Sequence, residues 1–306
     1  MTINSSTKIL ILGASGLIGN ALITNLTQKG HQVIAVSRSY KNKSEKTDIQ
    51  WIDLSLESLV KSLNQGVDIV INLAGETITQ AWTKENWNKF EVSRIDLTQM
   101  LVTAIEKTPV EMRPKQLINA SAIGYYGDTG QKITTESAKP AVNNPLAQLC
   151  VDWEQAAFKA ESSGVKVAVM RIGLVLGKEA RAWKMLKQVF KIGIGGRLGD
   201  GKQIMAWIHL DDVIGAILHI INNELSGAYN FVSPQPVSNQ KFTEILAASV
   251  NRWVFLPVPA FALKLKYQGF EEVLLKSQNI APQALLDSGY EFKHTDLKIA
   301  FESLLD

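Results

Sequence analysis

Short apolar runs alternate with longer segments of helical periodicity through the first half of this chain. The runs Lys8–Leu12, Gln32–Ser37, Asp68–Leu73, Lys115–Ser121 and Lys166–Arg171 are rich in β-branched residues. Runs of that kind suit strands buried on both faces of a parallel sheet. Between them, Leu17–Lys29, Leu56–Leu63, Lys84–Lys107 and Pro145–Ser163 carry helical patterns, with Gly30 and Gly164 placed as C-caps before the next strand. Ile49–Ile52 reads as one further strand near an edge. The alternation predicts an α/β fold, a doubly wound parallel sheet with right-handed crossovers.

The pattern changes after Gly177. Arg181–Ile192 is helical, with Trp183, Leu186 and Phe190 on one face and Arg181, Lys184, Lys187 and Lys191 on the other. A glycine-rich loop, Gly193–Gly201, leads to a strand-like Met205–Leu210, a helix from Asp211 or Asp212 to Asn222, and a strand Ala228–Val232 that could rejoin the sheet. The remainder is cut by Pro257, Pro259 and Pro282 into short helices and reads as a cap over the ligand face. The expected division is a nucleotide-binding domain of residues 1–177 plus 204–232 and a smaller C-terminal substrate domain of residues 178–203 plus 233–306.

Composition narrows the function classes. The 306 residues are 46% hydrophobic and carry a formal net charge of only +3, which argues against nucleic acid as the main partner. The single cysteine, Cys150, excludes an intrachain disulfide framework and a cysteine-based zinc site. Met1–Thr7 is polar and lacks the apolar core of a secretion signal. No apolar stretch approaches the ~20 residues of a membrane span. The expectation is a soluble cytoplasmic protein with no membrane partner; the oligomeric state is not legible.

The turn Gly13-Ala14-Ser15-Gly16-Leu17-Ile18-Gly19 follows the first strand and opens the first helix. Glycines there let the backbone approach a pyrophosphate, and the helix start offers N–H groups and a positive dipole end. The second strand ends at Ser37-Arg38. An acidic residue there would bind the 2′-hydroxyl of NAD; a serine and a guanidinium suit the 2′-phosphate of NADP. The alternative makes Arg38 a solvated loop charge beside Lys41 and Lys43. Leu73-Ala74-Gly75, after the strand through Asn72, offers small residues against which a ribose could lie. Arg94 either swings toward the pyrophosphate or pairs with Glu91 or Asp96. The segment Lys178–Lys202 holds seven Lys/Arg against two acids. That excess is either a solvated face or a receptor for an anionic ligand.

These residues carry a resemblance. Gly13-x-x-Gly16-x-x-Gly19, Asn72-Leu73-Ala74-Gly75 and Tyr126-Gly127-Asp128 resemble the extended short-chain dehydrogenase/reductases. Ser121-Ala122-Ile123-Gly124-Tyr125-Tyr126-Gly127-Asp128, Trp153-Glu154, Arg171–Gly177, Gly195-Gly196-x-Leu198-Gly199-x-Gly201-x-Gln203 and Trp207-Ile208-His209 look like one atypical subgroup. It is called the NAD-dependent epimerase/dehydratase family, or nucleoside-diphosphate-sugar epimerase-like; bacterial members also carry a cell-division inhibitor label. The resemblance spans about Lys8 to Leu304. It implies an NAD(P)-binding Rossmann fold and NADP(H) as cofactor, held through Gly13, Ser15, Gly16, Leu17, Ile18, Ser37, Arg38, Leu73, Ala74, Gly75, Arg94 and Ala120. With the basic Lys178–Lys202 segment, the expected substrate is a small molecule, anionic or nucleotide-linked, with Gln203 and Trp207 lining the same cleft and Glu76 near the strand ends as candidate contacts.

The wider family works through serine, tyrosine and lysine. Registering Glu154 on that family's glutamate puts Cys150 at the lysine and Leu146 at the tyrosine, and counting back from Tyr126 puts Ala122 at the serine; a shift of one makes Ser121 the serine. Leucine exchanges no proton, and a mid-helix thiol in apolar surroundings stays neutral. Ser121 and Tyr126 are the remaining catalytic candidates, with a packing role as the alternative for Tyr126. His209 is expected to be fixed by Asp211 or Asp212, one of which caps the following helix. No cluster with metal-ligand spacing is seen. The expected function is an NADP(H)-binding oxidoreductase or epimerase-like protein without the usual Tyr-x-x-x-Lys pair. The alternative is a cofactor-binding redox sensor without turnover.

Overall fold

The computed structural model describes residues 7–38, 40, 48–253 and 257–305; Lys41 and Lys43 fall outside them. Seven parallel strands form the central sheet: β1 (Lys8–Leu12), β2 (Gln32–Val36), β3 (Ile49–Ile52), β4 (Ile69–Asn72), β5 (Gln116–Ala122), β6 (Lys166–Ile172) and, far along the chain, β10 (Gly227–Phe231). Their order is β10-β6-β5-β4-β1-β2-β3. The chain order reverses direction between β1 and β4, so ligands of such sheets gather at the carboxyl ends of those two strands. Leu12 stands opposite both Val36 and Asn72, which aligns the ends of β1, β2 and β4.

Both faces of the sheet are covered, as the unbroken apolar runs require. Helices α1 (Leu17–Gln28) and α7 (Leu210–Asn222) pack on one face, where Ile9, Ile11, Leu22, Leu26 and Ile217 are buried. Helices α2 (Leu56–Leu63), α4 (Leu97–Lys107) and α5 (Pro145–Phe158) cover the other, around Leu10, Leu12, Leu59, Leu101 and Val167. Local chemistry fixes the helix starts. Ser55 caps α2 through the Ser58 N–H, and Asn144 caps α5 through the Ala147 N–H with Pro145 at the first turn.

The predicted helix Lys84–Lys107 is three pieces: α3 (Lys84–Glu91), a π turn at Val92–Asp96, and α4. The pattern of α7 also differs from expectation. His209, not an aspartate, is its N-cap and accepts the Asp211 N–H at 3.1 Å.

Short strands β7 (Leu174–Leu176) and β9 (Trp207–His209) pair with each other, and β8 (Ile204–Met205) pairs with β11 (Val237–Ser238). Around them lie α6 (Arg181–Lys191), α8 (Asn239–Ser249), α9 (Ala260–Tyr267), α10 (Glu271–Leu275), α11 (Gln283–Asp287) and α12 (Leu297–Leu305). Their own core joins Leu176, Trp183, Phe190, Trp207, Phe242, Leu246 and Phe301, with Trp183 stacked on Phe301 at 5.3 Å. Among the described residues, no helix is long and apolar enough to cross a membrane.

Candidate cofactor site

A cavity of about 810 Å³ opens at the carboxyl ends of β1, β2 and β4. Gly13, Ser15 and Gly16 form one wall, Ser37 and Arg38 the rim, and Leu73, Ala74, Gly75 and Glu76 the opposite wall. The glycine at 13 is required twice. Its φ is +73°, and a Cβ would stand 2.7 Å from the Leu73 carbonyl carbon. A Cβ on Gly19 would meet the Gly13 oxygen at 2.5 Å, so the helix can enter this close only without one.

The second wall is organised by Asn72, which is fully buried. Its Oδ1 accepts the Ala74 N–H at 3.2 Å, and its Nδ2 donates to Asn119 Oδ1 and Thr98 Oγ1. The turn after β4 is thereby held from below. From the side it is held by the π turn: the Glu76 N–H donates to Ser93 Oγ at 2.9 Å, and Arg94 Nη2 donates to the Glu76 carbonyl at 2.8 Å. A π turn adds a residue to a helix and re-aims its side chains, and such turns recur at functional sites.

Arg94 makes no ion pair with Glu91 or Asp96; its guanidinium faces the Trp153 ring at 5.2 Å and packs against Gly75. Burial lowers its pKa, which the negative charge of Glu76 opposes. Arg38 is exposed and lies 3.8 Å from Glu76 Oε2. Glu76, expected at the substrate, therefore stands beside the candidate 2′-phosphate residue. The periodicity of Lys84–Lys107 gave no sign that Asn88, Lys89, Val92, Ser93, Asp96, Leu97 and Met100 also line the cavity. Leu17 and Ile18 begin α1 next to the glycine wall, and Ala120 lies buried within β5.

Ser121 and Tyr126 belong to a buried network behind this cavity. Arg171 grips Glu154 with two bonds, Nε to Oε1 at 2.9 Å and Nη2 to Oε2 at 2.8 Å, and both residues are 5% exposed. Ser121 Oγ donates to Glu154 Oε1 at 2.6 Å. Arg171 Nη1 donates to Tyr126 Oη at 2.8 Å, and that hydroxyl donates to Asn230 Oδ1 at 2.7 Å. Burial pushes the Tyr126 phenol up to about 12, so it holds its proton firmly. The Arg171 guanidinium also lies 3.6 Å from the Tyr125 ring centroid. Both hydroxyls that were candidates for proton transfer are thus engaged in ordering β5, β6 and β10. Leu146 and Cys150 pack beneath Gly124, where a Cβ would touch the leucine at 2.8 Å. Burial, with Glu154 nearby, pushes the Cys150 thiol up to about 12.

The substrate candidates on the second half, Gln203 and Trp207, are both buried. Trp207 is fully buried, with its indole N–H on the Gln235 carbonyl, and packs in the small core. Gln203 spends its amide on the carbonyls of Leu198 and Leu274, tying the glycine-rich loop to α10. On the basic helix α6, Lys184 pairs with Glu179.

A cluster absent from the sequence reading appears at the start of α7. Among the described residues, His209, Asp211 and His294 place ligand-type atoms within 4.8 Å of one another. The lone pair of His209 Nδ1 accepts the Asp211 N–H, and the Lys293 ammonium holds Asp211 Oδ2 at 2.7 Å, so a cation already occupies the carboxylate. The rings of His209 and His294 lie in tilted contact, centroids 3.8 Å apart, and join α7 to the C-terminal segment.

Burial, aided by His294 and Lys293 and opposed by Asp211 and Asp212, lowers the His209 pKa to about 4. The ordinary value is near 6.5. Neutral His209 therefore contributes stability fully above about pH 6.5. It is lost as pH falls toward 4, because the unfolded chain takes a proton that the folded chain refuses. His31 is shifted the same way by burial and Lys29. Melting temperature should fall over that window, with His209 supplying up to about 1.4 kcal/mol per pH unit. His209→Asn, which keeps an N-cap acceptor, should flatten the decline in a pH series of thermal melts; an unchanged slope would assign it to other groups.

Comparison with known proteins agrees with this geometry. The family model described as NAD dependent epimerase/dehydratase family matches residues 9–231, and a domain of unknown function, DUF1731, matches residues 258–304. The Arabidopsis thaliana protein described as epimerase family protein SDR39U1 homolog, chloroplastic, is 35% identical, over 98% of this chain and 87% of that one. An epimerase family protein of Mycobacterium bovis is 37% identical over 94% of each chain. The crystal structure of human epimerase family protein SDR39U1 with NADPH superposes with a TM-score of 0.87 at 29% identity, covering 97% of this chain and 99% of the other. A sheet wound around a glycine-built crevice, a model match over most of the length and end-to-end relatives together establish that this chain belongs to the NAD-dependent epimerase/dehydratase family.

Proposed function

We propose that the chain binds NADPH in the cavity at the ends of β1, β2 and β4, with Ser37 and Arg38 taking the 2′-phosphate. The observation that carries this reading is the rim of that cavity: the second strand is followed directly by a serine and an exposed arginine, with no acidic residue at that place. The fit is supported by the backbone of Gly13, which leaves no room for a Cβ, and by Arg94, a cation set against Gly75. We take residues 1–177 plus 204–232 as the unit that holds the cofactor. Residues 178–203 plus 233–306 form the cap that meets a small anionic or nucleotide-linked ligand. The human relative crystallised with NADPH supports the same choice of cofactor.

Bound NADPH would supply a hydride at its nicotinamide. A proton would have to come from elsewhere than the usual pair, since Leu146 has none and the Cys150 thiol is held neutral. A second reading follows from that one observation: the cofactor is held without turnover and its occupancy is what matters. Screening nucleotide sugars and small carbonyls for NADPH oxidation separates the two.

The cofactor assignment has its own test. Arg38→Ala should weaken NADPH binding roughly ten- to a hundredfold, the worth of a charge-assisted phosphate contact. NADH should bind the variant nearly as it binds the wild type. Equal losses for both dinucleotides, measured by nicotinamide fluorescence, would remove Arg38 from the 2′-phosphate.

A further inference from the structure

We infer that Glu76 competes with the 2′-phosphate for Arg38, and so sets how strongly the chain prefers NADPH to NADH. The inference rests on the cofactor reading above and concerns a charge which that reading leaves idle. Glu76 lines the same cavity as Arg38, with Oε2 3.8 Å from Arg38 Nη2. The two partners are not equally free. The Glu76 backbone is fastened on both sides, by Ser93 Oγ at its N–H and by Arg94 Nη2 at its carbonyl. Its other carboxylate oxygen accepts the Thr77 N–H at 3.2 Å. The side chain is 29% exposed, whereas that of Arg38 is 84% exposed. The more firmly held member is the anion and the more exposed one the cation.

A cavity suited to a polyanion thus carries a fixed negative charge at its rim. The other charges lining it are Lys89, already paired with Glu85 at 2.6 Å, and Asp96. An exposed ion pair of this length adds little to the fold. Its weight falls on the ligand. A phosphate that engages Arg38 must draw the guanidinium away from Glu76 and remain near that carboxylate. NADH has no 2′-phosphate and meets neither obstacle. Removing the charge therefore favours NADPH selectively, by about three- to tenfold for like charges several ångströms apart near solvent.

The test titrates NADPH and NADH into wild type, Glu76→Gln, Arg38→Ala and the double variant, at low and high ionic strength. Glutamine keeps the acceptor for Thr77 and removes only the charge. The expected result is tighter NADPH, NADH within twofold of wild type, a smaller gain at high salt, and no gain in the Arg38→Ala background. An equal gain for both cofactors, a gain that survives without Arg38, or unchanged or weaker NADPH would each overturn the inference while leaving NADPH binding in place. A wild-type chain that binds neither dinucleotide would instead overturn the cofactor reading, and this proposal with it.

Discussion

Glu154→Ala is expected to destabilise the fold by about 3–5 kcal/mol, the cost of leaving a buried guanidinium without its carboxylate. Arg171 is 5% exposed and spends two of its bonds on Glu154. Burial works against its charge, and Glu154 more than offsets this, holding the guanidinium above its ordinary pKa. The loss would spread. Ser121 Oγ would lose its acceptor, and Arg171 would be drawn from Tyr126, whose hydroxyl reaches Asn230 on β10. Chemical denaturation should show a lower midpoint with little change in slope. Replacing both partners by methionine should recover much of the deficit, because an apolar pair leaves no orphan charge. A loss under about 1 kcal/mol in the single variant would mean that Arg171 finds water when its partner is gone.

Gly13→Ala is expected to abolish measurable NADPH binding, a loss of at least a hundredfold, and to cost the fold about 2–3 kcal/mol. Two independent penalties act at this position. The φ of +73° is unfavourable for an L side chain, and the methyl would stand 2.7 Å from the Leu73 backbone, where no flexible group can yield. Relief requires the ends of β1 and β4 to part, which opens the crevice proposed for the cofactor. Gly16→Ala is the control for the fold: a Cβ there would meet only the Gly13 oxygen, at 3.2 Å. Its destabilisation should be clearly smaller in thermal melts. Gly13→Ala protein that binds NADPH like wild type would show that the cofactor does not rely on this approach of the two turns.

The sheet was legible because its strands are buried on both faces, and continuous Ile/Val runs such as Lys8–Leu12 and Lys166–Ile172 leave few other options. The edge position of Ile49–Ile52 and the return of the strand near Ala228 followed from the same logic. The π turn at Val92–Asp96 was invisible, since one extra residue in a helical period does not disturb the apolar spacing of its flanks. Pairings across the fold were also out of reach. Glu154 and Arg171 each stood out as parts of motifs, yet nothing in their spacing announces a bidentate contact. His294 lies 85 residues beyond His209, and only the docking of the C-terminal segment on α7 brings their rings together. The burial of Trp207 was not legible, because a tryptophan near a glycine-rich loop has the same sequence signature whether it lines a cleft or fills a core.

The strand β10 has a consequence for how the chain acquires its shape. It pairs with β6 although α6, α7 and the glycine-rich loop are threaded between them. Until that late strand is synthesised, β6 is an open edge, and Tyr126 lacks Asn230, the acceptor for its hydroxyl. The stretch made before β10 therefore holds most of a sheet but cannot complete it. Completion waits on contacts of long sequence separation, which are slow to form. A nascent chain of this design is most prone to association with other chains in the interval between the emergence of β6 and that of β10.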